Sequence, residues 1–132
     1  MMKTIDNLGD LNLPEKFINT MQTFLFKIAT LSNVNRVSEV ILFGSSAKGM
    51  THNASDLDIL VIDDQADDND DLLFELYECA ANSSDITPGN YVSIDIIAMP
   101  MRRLMEHRNR LGMVQQYILR DGVILDESLY KR

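Results

Sequence analysis

A short apolar run that begins among acidic residues constrains the fold of this chain more than any other stretch. Residues 57–62 read LDILVI, which is almost continuously apolar and rich in β-branched side chains. This composition predicts a β-strand, and near-continuous apolarity is typical of a strand that is covered on both faces. We therefore expect helices on both sides of a central sheet.

The remaining patterns alternate between helix and strand. Apolar residues recur every three or four positions over residues 14–31 and 70–82, which predicts two main helices. Strands are predicted at residues 37–43 and 91–99, a further short strand at 123–125, and helical segments from Pro100 and over residues 113–120. This order predicts an α/β (α+β) fold with a small mixed sheet of three to four strands flanked by helices.

Length and composition predict one domain over residues 1–132, with a loose or partly packed arm at residues 1–13. No apolar stretch reaches the roughly 18 residues of a membrane span, and the N-terminal residues lack a secretory pattern. Cys79 is the only cysteine, which excludes an intrachain disulfide. These features favour a cytoplasmic protein without membrane contact. The net charge of -8 argues against stable nucleic-acid binding.

Three aspartates in or beside predicted strands form the candidate chemical centre. Because side chains alternate along a strand, Asp56 and Asp58 point to the same side. Two carboxylates held together among apolar neighbours repel each other unless a cation lies between them. Asp95 interrupts the apolar strand at residues 91–99, and it can join them if that strand lies beside residues 57–62. Carboxylate oxygens are the ligands that Mg²⁺ prefers, so the sequence predicts a Mg²⁺ site.

A small-residue turn just before these aspartates supplies the second half of the site. Gly44 permits close approach of the backbone, and backbone N–H groups at the start of a helical turn bind phosphate. Ser45 adds a hydroxyl donor and Lys48 adds a positive charge. A phosphate-binding turn beside a metal–carboxylate cluster predicts nucleotidyl transfer, in which the metals activate an acceptor hydroxyl and stabilise the departing pyrophosphate.

The spacing of these two halves resembles a known signature. Gly44-Ser45 is followed by ten residues and then by Asp56-Leu57-Asp58. This pattern resembles the signature of the nucleotidyltransferase fold shared with DNA polymerase beta. The string GSSAKGMTHNASDLDILV is most similar to the minimal nucleotidyltransferases of bacteria and archaea.

The resemblance implies roles for individual residues. It implies that Asp56, Asp58 and Asp95 are catalytic and bind two divalent ions, which are Mg²⁺ or alternatively Mn²⁺. It also implies that ATP or another nucleoside triphosphate is the substrate. The residues assigned to nucleotide binding are Gly44, Ser45, Ser46 and Lys48. Many members of the family have arginine where this chain has Lys48, so the charge is kept but the bidentate geometry of arginine is lost.

The resemblance also implies a biological partner. The family includes antitoxins encoded beside HEPN-domain toxins, which are ribonucleases, and such antitoxins transfer AMP from ATP to a tyrosine of the toxin. Two alternatives stay open. One is the same chemistry on a small molecule, which usually needs a second domain to hold the substrate. The other is an antitoxin or scaffold that acts by binding alone, against which the intact metal ligands argue.

Residues outside this site receive simpler interpretations. The aspartate-rich residues 63–71 are expected to form a solvated loop and a helix cap. Phe26, Phe74 and Cys79 are expected to pack in the core, and Tyr117 and Tyr130 are candidate acceptors in self-modification. A cluster of arginines is expected to form an exposed helix face, with binding of triphosphate or an acidic partner as the functional alternative: Arg102, Arg103, Arg108 and Arg110.

Overall fold

The computed structural model describes residues 2–51, 56–66, 71–106, 108, 110 and 112–131. Five strands in this part of the chain form one mixed sheet, in the order β1-β5-β2-β3-β4. The strands are β1 (Lys3–Ile5), β2 (Glu39–Phe43), β3 (Leu57–Ile62), β4 (Ile94–Met99) and β5 (Val123–Leu125). Strands β1 and β5 are parallel, as are β3 and β4, whereas β2 is antiparallel to both of its neighbours.

Five α-helices connect or flank these strands within the described residues. They are α1 (Glu15–Ala29), α2 (Gly44–Ala47), α3 (Asp71–Ala81), α4 (Met101–Glu106) and α5 (Val114–Asp121). Helices α1, α3 and α5 agree with the predicted helices to within two residues at each end. Pro14 immediately precedes α1, because a helix leaves the first N–H groups unpaired and proline has none to offer.

Helices cover the sheet on both faces. On one face, α1 and α3 pack against strand residues such as Leu42 and Ile59. On the other face, Leu60 packs with Leu104 of α4 and Ile118 of α5. Successive strand residues enter opposite layers because the side-chain period is two. The prediction that residues 57–62 form a strand covered on both faces is confirmed, and each fully buried leucine or isoleucine contributes roughly 1.5–3 kcal/mol.

The sheet has one more strand than the sequence predicts. Three to four strands are expected, but Lys3–Ile5, within the expected loose arm, form β1 and pair with β5. Ile5, Leu8 and Leu11 are also buried, so this arm is packed over much of its length. β1 is short, and its first two residues, Lys3 and Thr4, are polar and exposed, so no apolar run in the sequence reveals it.

The buried face of α3 differs from the predicted stripe. The spacing places Tyr77 beside Leu72 and Leu76, but Tyr77 is 47% exposed, and Cys79 and Ala80 face the core instead. The expected packing of Cys79 is therefore confirmed.

Two phenylalanines expected in the core lie at the surface. Phe26 is 57% exposed and Phe74 is 67% exposed. Each falls outside the apolar stripe of its helix, since the buried positions of α1 include Phe24, Leu25 and Ile28 but not residue 26. None of the helices in the described ranges is both long enough and apolar enough to span a membrane.

Candidate active site

Strands β3 and β4 bring two of the predicted acidic residues side by side. The strands are parallel, and Asp58 lies opposite Asp95 in their register. Alternation along each strand puts Asp58 on the same face as Leu60, and Asp95 on the same face as Ile97. This is the face covered by α4 and α5. The condition under which Asp95 can join the other two aspartates, that its strand lies beside residues 57–62, is therefore met.

Asp56 joins this pair from the residue before β3. The Ser93 hydroxyl donates a hydrogen bond to Asp56 Oδ1. The Leu57 N–H also donates to the Ser93 carbonyl oxygen, at 2.9 Å, so Ser93 fixes the entry to β3 through both its side chain and its backbone. No motif in the sequence identifies Ser93 as part of the site. Its one signal is its position two residues before Asp95, which places it on the same side of an extended chain.

Asp56, Asp58 and Asp95, here called the acidic cluster, repel one another. The pKa of Asp58 is raised mainly by partial burial, and further by the charges of Asp95 and Asp56. The pKa of Asp95 is raised mainly by slight burial, and further by the charge of Asp56 and a hydrogen bond with Asp56. Both shifts mean that the ionised forms are disfavoured where these carboxylates stand together. A cation bound among them would relieve this repulsion.

Gly44 is required at its position for two independent reasons. Its φ of +74° lies in the left-handed region, which side chains other than glycine rarely adopt. A Cβ added to Gly44 would also lie 3.2 Å from Asp58 Cγ and closer still to Asp58 Oδ2. Phe43, the residue before it, is the register partner of Asp58 across β2 and β3. The turn over residues 44–48, here called the Gly44 turn, therefore lies directly against the acidic cluster.

Within the Gly44 turn, the side chain of Ser46 is turned to the protein interior. The sequence assigns Ser46 to nucleotide binding, but its side chain is buried and its hydroxyl donates to the Asp56 carbonyl oxygen at 3.3 Å. Ser46 thus links the turn to the acidic cluster. Ser45 is half-buried, and its carbonyl oxygen accepts the N–H groups of Lys48 and Met50 at 3.1 and 2.9 Å.

The charge on the Gly44 turn is already paired. Lys48 Nζ lies 3.5 Å from Asp121 Oδ2 at the end of α5. Asp121 Oδ2 also accepts hydrogen bonds from Arg120 Nε and Nη2 at 2.9 and 2.7 Å, and these bonds, more than the charge of Lys48, lower the pKa of Asp121. Helix α2 has only four residues, so a helix dipole contributes little here. A phosphate on this turn would be bound by individual N–H groups and by Lys48.

A pocket of about 390 Å³ opens between the Gly44 turn and α5. Ser45 and Lys48 border it on one side, and Tyr117 and Asp121 of α5 border it on the other. Its volume falls within the roughly 300–1,000 Å³ that is typical of small-molecule sites. Neither Tyr117 nor Asp121 belongs to the predicted site, because no local motif connects α5 with the turn.

The acidic cluster offers the donor atoms that a divalent cation prefers, and the backbone brings the three aspartates to one place. All three side chains offer carboxylate oxygens, and Gly44 leaves room for the carboxylate of Asp58. As the side chains stand, however, no three His, Cys, Asp or Glu groups among the described residues are arranged to hold a metal ion. Asp56 and Asp95 are exposed, and exposed side chains change rotamer within nanoseconds. Ligation by all three therefore requires rotation of these side chains.

Several predicted features lie away from this site. Asp63, expected in a solvated acidic loop, is buried and bonded to Arg36, while Asp64 Oδ1 accepts the N–H of Met101 at 3.0 Å and so caps α4. Residues 67–70 of that acidic run lie outside the described residues. Tyr130, a candidate acceptor, is also buried, and this burial is the main cause that raises its pKa to about 12.

The arginine cluster does not form one helix face. Arg102 and Arg103 are exposed on α4, which ends at Glu106, so Arg108 and Arg110 lie beyond the helix. Arg108 Nη1 donates to the Met105 carbonyl oxygen at 3.1 Å. His52 and His107, the two histidines of the chain, lie outside the described residues.

A mixed sheet that presents carboxylates beside a glycine turn defines a class of nucleotide-handling proteins. A family model for polymerase beta, nucleotidyltransferase, matches residues 27–125. The chain therefore belongs to the polymerase beta nucleotidyltransferase family, whose members generally use divalent metal ions and a nucleotide substrate. A comparison with curated proteins found no match.

Proposed function

We propose that this nucleotidyltransferase transfers AMP from ATP to a hydroxyl group of another protein. The observation that carries the proposal is the exposure of the acidic cluster at an edge of the sheet. Strand β4, which contains Asp95, is the last strand in the sheet order. Asp95 is exposed, and so is Asp56, which immediately precedes the neighbouring strand β3. An active site that is open at a sheet edge can admit a side chain that belongs to a second folded protein.

Each residue of the site has a distinct role in this proposal. Backbone N–H groups of Gly44 and Ser45 bind the terminal phosphates, and Lys48 offsets part of their charge. Asp56, Asp58 and Asp95 would hold the divalent ions, and Asp95 would also face the acceptor hydroxyl. When bound, these ions neutralise phosphate charge and lower the pKa of the acceptor hydroxyl. Ser46 and Ser93 position Asp56 through their hydrogen bonds.

The transfer step balances without a further reactant. The acceptor oxygen forms a bond to the α-phosphorus of ATP, while the bond from this phosphorus to the oxygen that bridges to the β-phosphate breaks. Pyrophosphate leaves with the electron pair of the broken bond, and the acceptor proton passes to the Asp95 carboxylate. Charge builds up on the departing pyrophosphate beside Lys48, so this residue stabilises the transition state more than the ground state.

The proposed acceptor is a tyrosine of a HEPN-domain toxin. This part of the proposal rests on the similarity of residues 44–61 to minimal nucleotidyltransferases that act as antitoxins. The net charge of -8 supports a partner with a basic surface, because complementary charge accelerates association and favours the correct partner.

The test uses ATP labelled on the α-phosphate, Mg²⁺ and a co-purified HEPN-domain partner. We expect label on the partner and release of pyrophosphate. The double variant Asp56→Asn with Asp58→Asn should lose the transfer, because the two uncharged amides cannot hold the divalent ions as the two carboxylates would. The matched control, Asp71→Asn with Asp85→Asn, removes the same charge at exposed positions away from the site and should keep it. Full labelling by the first double variant would exclude the proposed mechanism.

A binding-only antitoxin is the second candidate function. It is favoured by two exposed aromatic side chains on α3, Phe74 and Tyr77, which are 67% and 47% exposed and offer a surface for protein contact. The triple variant Asp56→Asn, Asp58→Asn and Asp95→Asn separates the two functions. If it still protects cells from the toxin, contact is sufficient, whereas lost protection with retained partner binding supports catalysis. An ATP-dependent mass shift in a panel of small compounds would instead favour a small-molecule acceptor.

A further inference from the structure

We infer that the pocket between the Gly44 turn and α5 holds the nucleobase of the bound nucleoside triphosphate, with Tyr117 stacking on the base. This inference rests on the proposed function, because it takes the phosphates to lie on the Gly44 turn. It adds a binding site for the base and a residue that determines affinity for the nucleoside part of the substrate.

The position of the pocket supports the inference. Gly44 contacts Asp58 of the acidic cluster and also borders the pocket, whereas none of the three aspartates does. A molecule that reaches from the acidic cluster into the pocket must therefore pass over the Gly44 turn. A nucleoside triphosphate has this arrangement of parts, with a charged chain at one end and an aromatic ring at the other.

The chemistry of the pocket walls suits an aromatic ring. Phe43, Met50, Val114 and Tyr117 line it, and the last three are 68%, 39% and 45% exposed. These side chains leave apolar surface in contact with water, and a planar base would cover it. Stacking of a base on an aromatic side chain contributes roughly 1–3 kcal/mol and depends little on which base is present.

Tyr117 is also held in place by its neighbours. The Arg120 guanidinium lies 5.1 Å from the centre of the Tyr117 ring. Arg120 in turn donates two hydrogen bonds to Asp121, which pairs with Lys48 on the Gly44 turn. This chain of contacts connects the proposed base site with the proposed phosphate site.

The experiment compares ATP with inorganic tripolyphosphate, which has the phosphates but no base. Calorimetric dissociation constants are measured with Mg²⁺ for the wild type, Tyr117→Ala and Tyr117→Phe. We expect Tyr117→Ala to weaken ATP binding about 5- to 150-fold, corresponding to the stacking energy, and to leave tripolyphosphate binding unchanged. Tyr117→Phe keeps the ring and should bind ATP like the wild type. The control Tyr91→Ala changes a tyrosine that is 58% exposed and outside the pocket, and should change neither constant.

The outcomes separate this inference from the function on which it rests. If the wild type binds both ligands and Tyr117→Ala binds ATP equally well, the base site is overturned while the proposed function stands. If Tyr117→Ala weakens both ligands to the same extent, Tyr117 acts on the phosphate site or on the fold, and the base site is again overturned. If the wild type binds neither ligand, both proposals fail together.

Discussion

Gly44 is the residue at which backbone conformation and the acidic cluster meet. We expect Gly44→Ala to lower the free energy of unfolding by about 1–3 kcal/mol because of its left-handed φ. The added Cβ would also displace the Asp58 carboxylate, and a shift of about 1 Å in a reacting group costs roughly 100-fold in activity. Urea unfolding and pyrophosphate release measure the two effects.

The matched control for this prediction is Gly89→Ala. Gly89 has a φ of +83°, but apart from its own atoms and those of its two chain neighbours, no heavy atom of the described residues lies within 4 Å of the position that its Cβ would take. Gly89→Ala should therefore lower the free energy of unfolding by a similar amount and leave the activity unchanged. Equal activity of the two alanine variants would show that the space beside Asp58 is not needed.

Asp58 illustrates a conflict between stability and binding at a single residue. Folding raises its pKa, so the folded protein binds the Asp58 proton more tightly than the unfolded chain does. Ionisation at neutral pH therefore destabilises the fold, and this effect disappears below the pKa of free aspartate, about 3.9. We expect Asp58→Asn to raise the melting temperature at pH 7 in EDTA, with no gain at pH 3.

A second aspartate provides the control for Asp58→Asn. The N–H and hydroxyl of Thr87 lower the pKa of Asp85, so its ionised form stabilises the fold. Asp85→Asn removes the same charge but should not raise the melting temperature. A gain of equal size in both variants would assign the effect to net charge instead of to repulsion within the acidic cluster.

At the scale of elements, Asp63 ties the end of β3 to the 3₁₀ turn at Val34–Arg36. Asp63 is 2% exposed, and its carboxylate accepts a hydrogen bond from Arg36 Nη2 at 2.7 Å and another from the Gln65 N–H at 2.9 Å. We expect Asp63→Asn to lower the free energy of unfolding by roughly 1.5–3 kcal/mol, because hydrogen bonds to charged groups contribute this much. Exposed Asp71→Asn should change it by no more than about 0.5 kcal/mol in urea unfolding. Similar losses in both would show that the Asp63 contacts do not stabilise the fold.

The elements also show what a single sequence can and cannot reveal. Local patterns predict the long helices α1 and α3 from a helical period that is sustained over more than ten residues, and they predict β3 from its nearly continuous apolar run. Strand alternation fixes the side on which Asp56 and Asp58 point, but only the pairing of β3 with β4 places Asp95 beside Asp58. Local patterns do not predict β1, whose three residues pair with β5 more than a hundred positions away. Tyr117 is likewise found only after folding brings α5 against the Gly44 turn.

At the scale of the whole molecule, the proposed site joins parts of the chain that are distant in sequence. The acidic cluster lies on β3 and β4, the Gly44 turn follows β2, and the pocket adds α5. A ligand that contacts all of them stabilises the folded state against complete unfolding. Mass action sets the size of this effect, which is about 2.7 kcal/mol when the free ligand is at 100 times its dissociation constant.

Ligand binding at the proposed site should therefore raise the global stability of the protein. With Mg²⁺ and a non-hydrolysable ATP analogue, we expect the melting temperature to rise by on the order of 10 °C, since 1 kcal/mol corresponds to roughly 2–8 °C in domains of this size. Asp58→Asn should abolish the rise because it removes a proposed metal ligand, whereas Tyr117→Ala should reduce it but keep the part that depends on phosphate. Asp85→Asn should keep it in full. A full rise in Asp58→Asn would mean that the analogue binds outside the acidic cluster, because a ligand stabilises the fold only through contacts that the unfolded chain lacks.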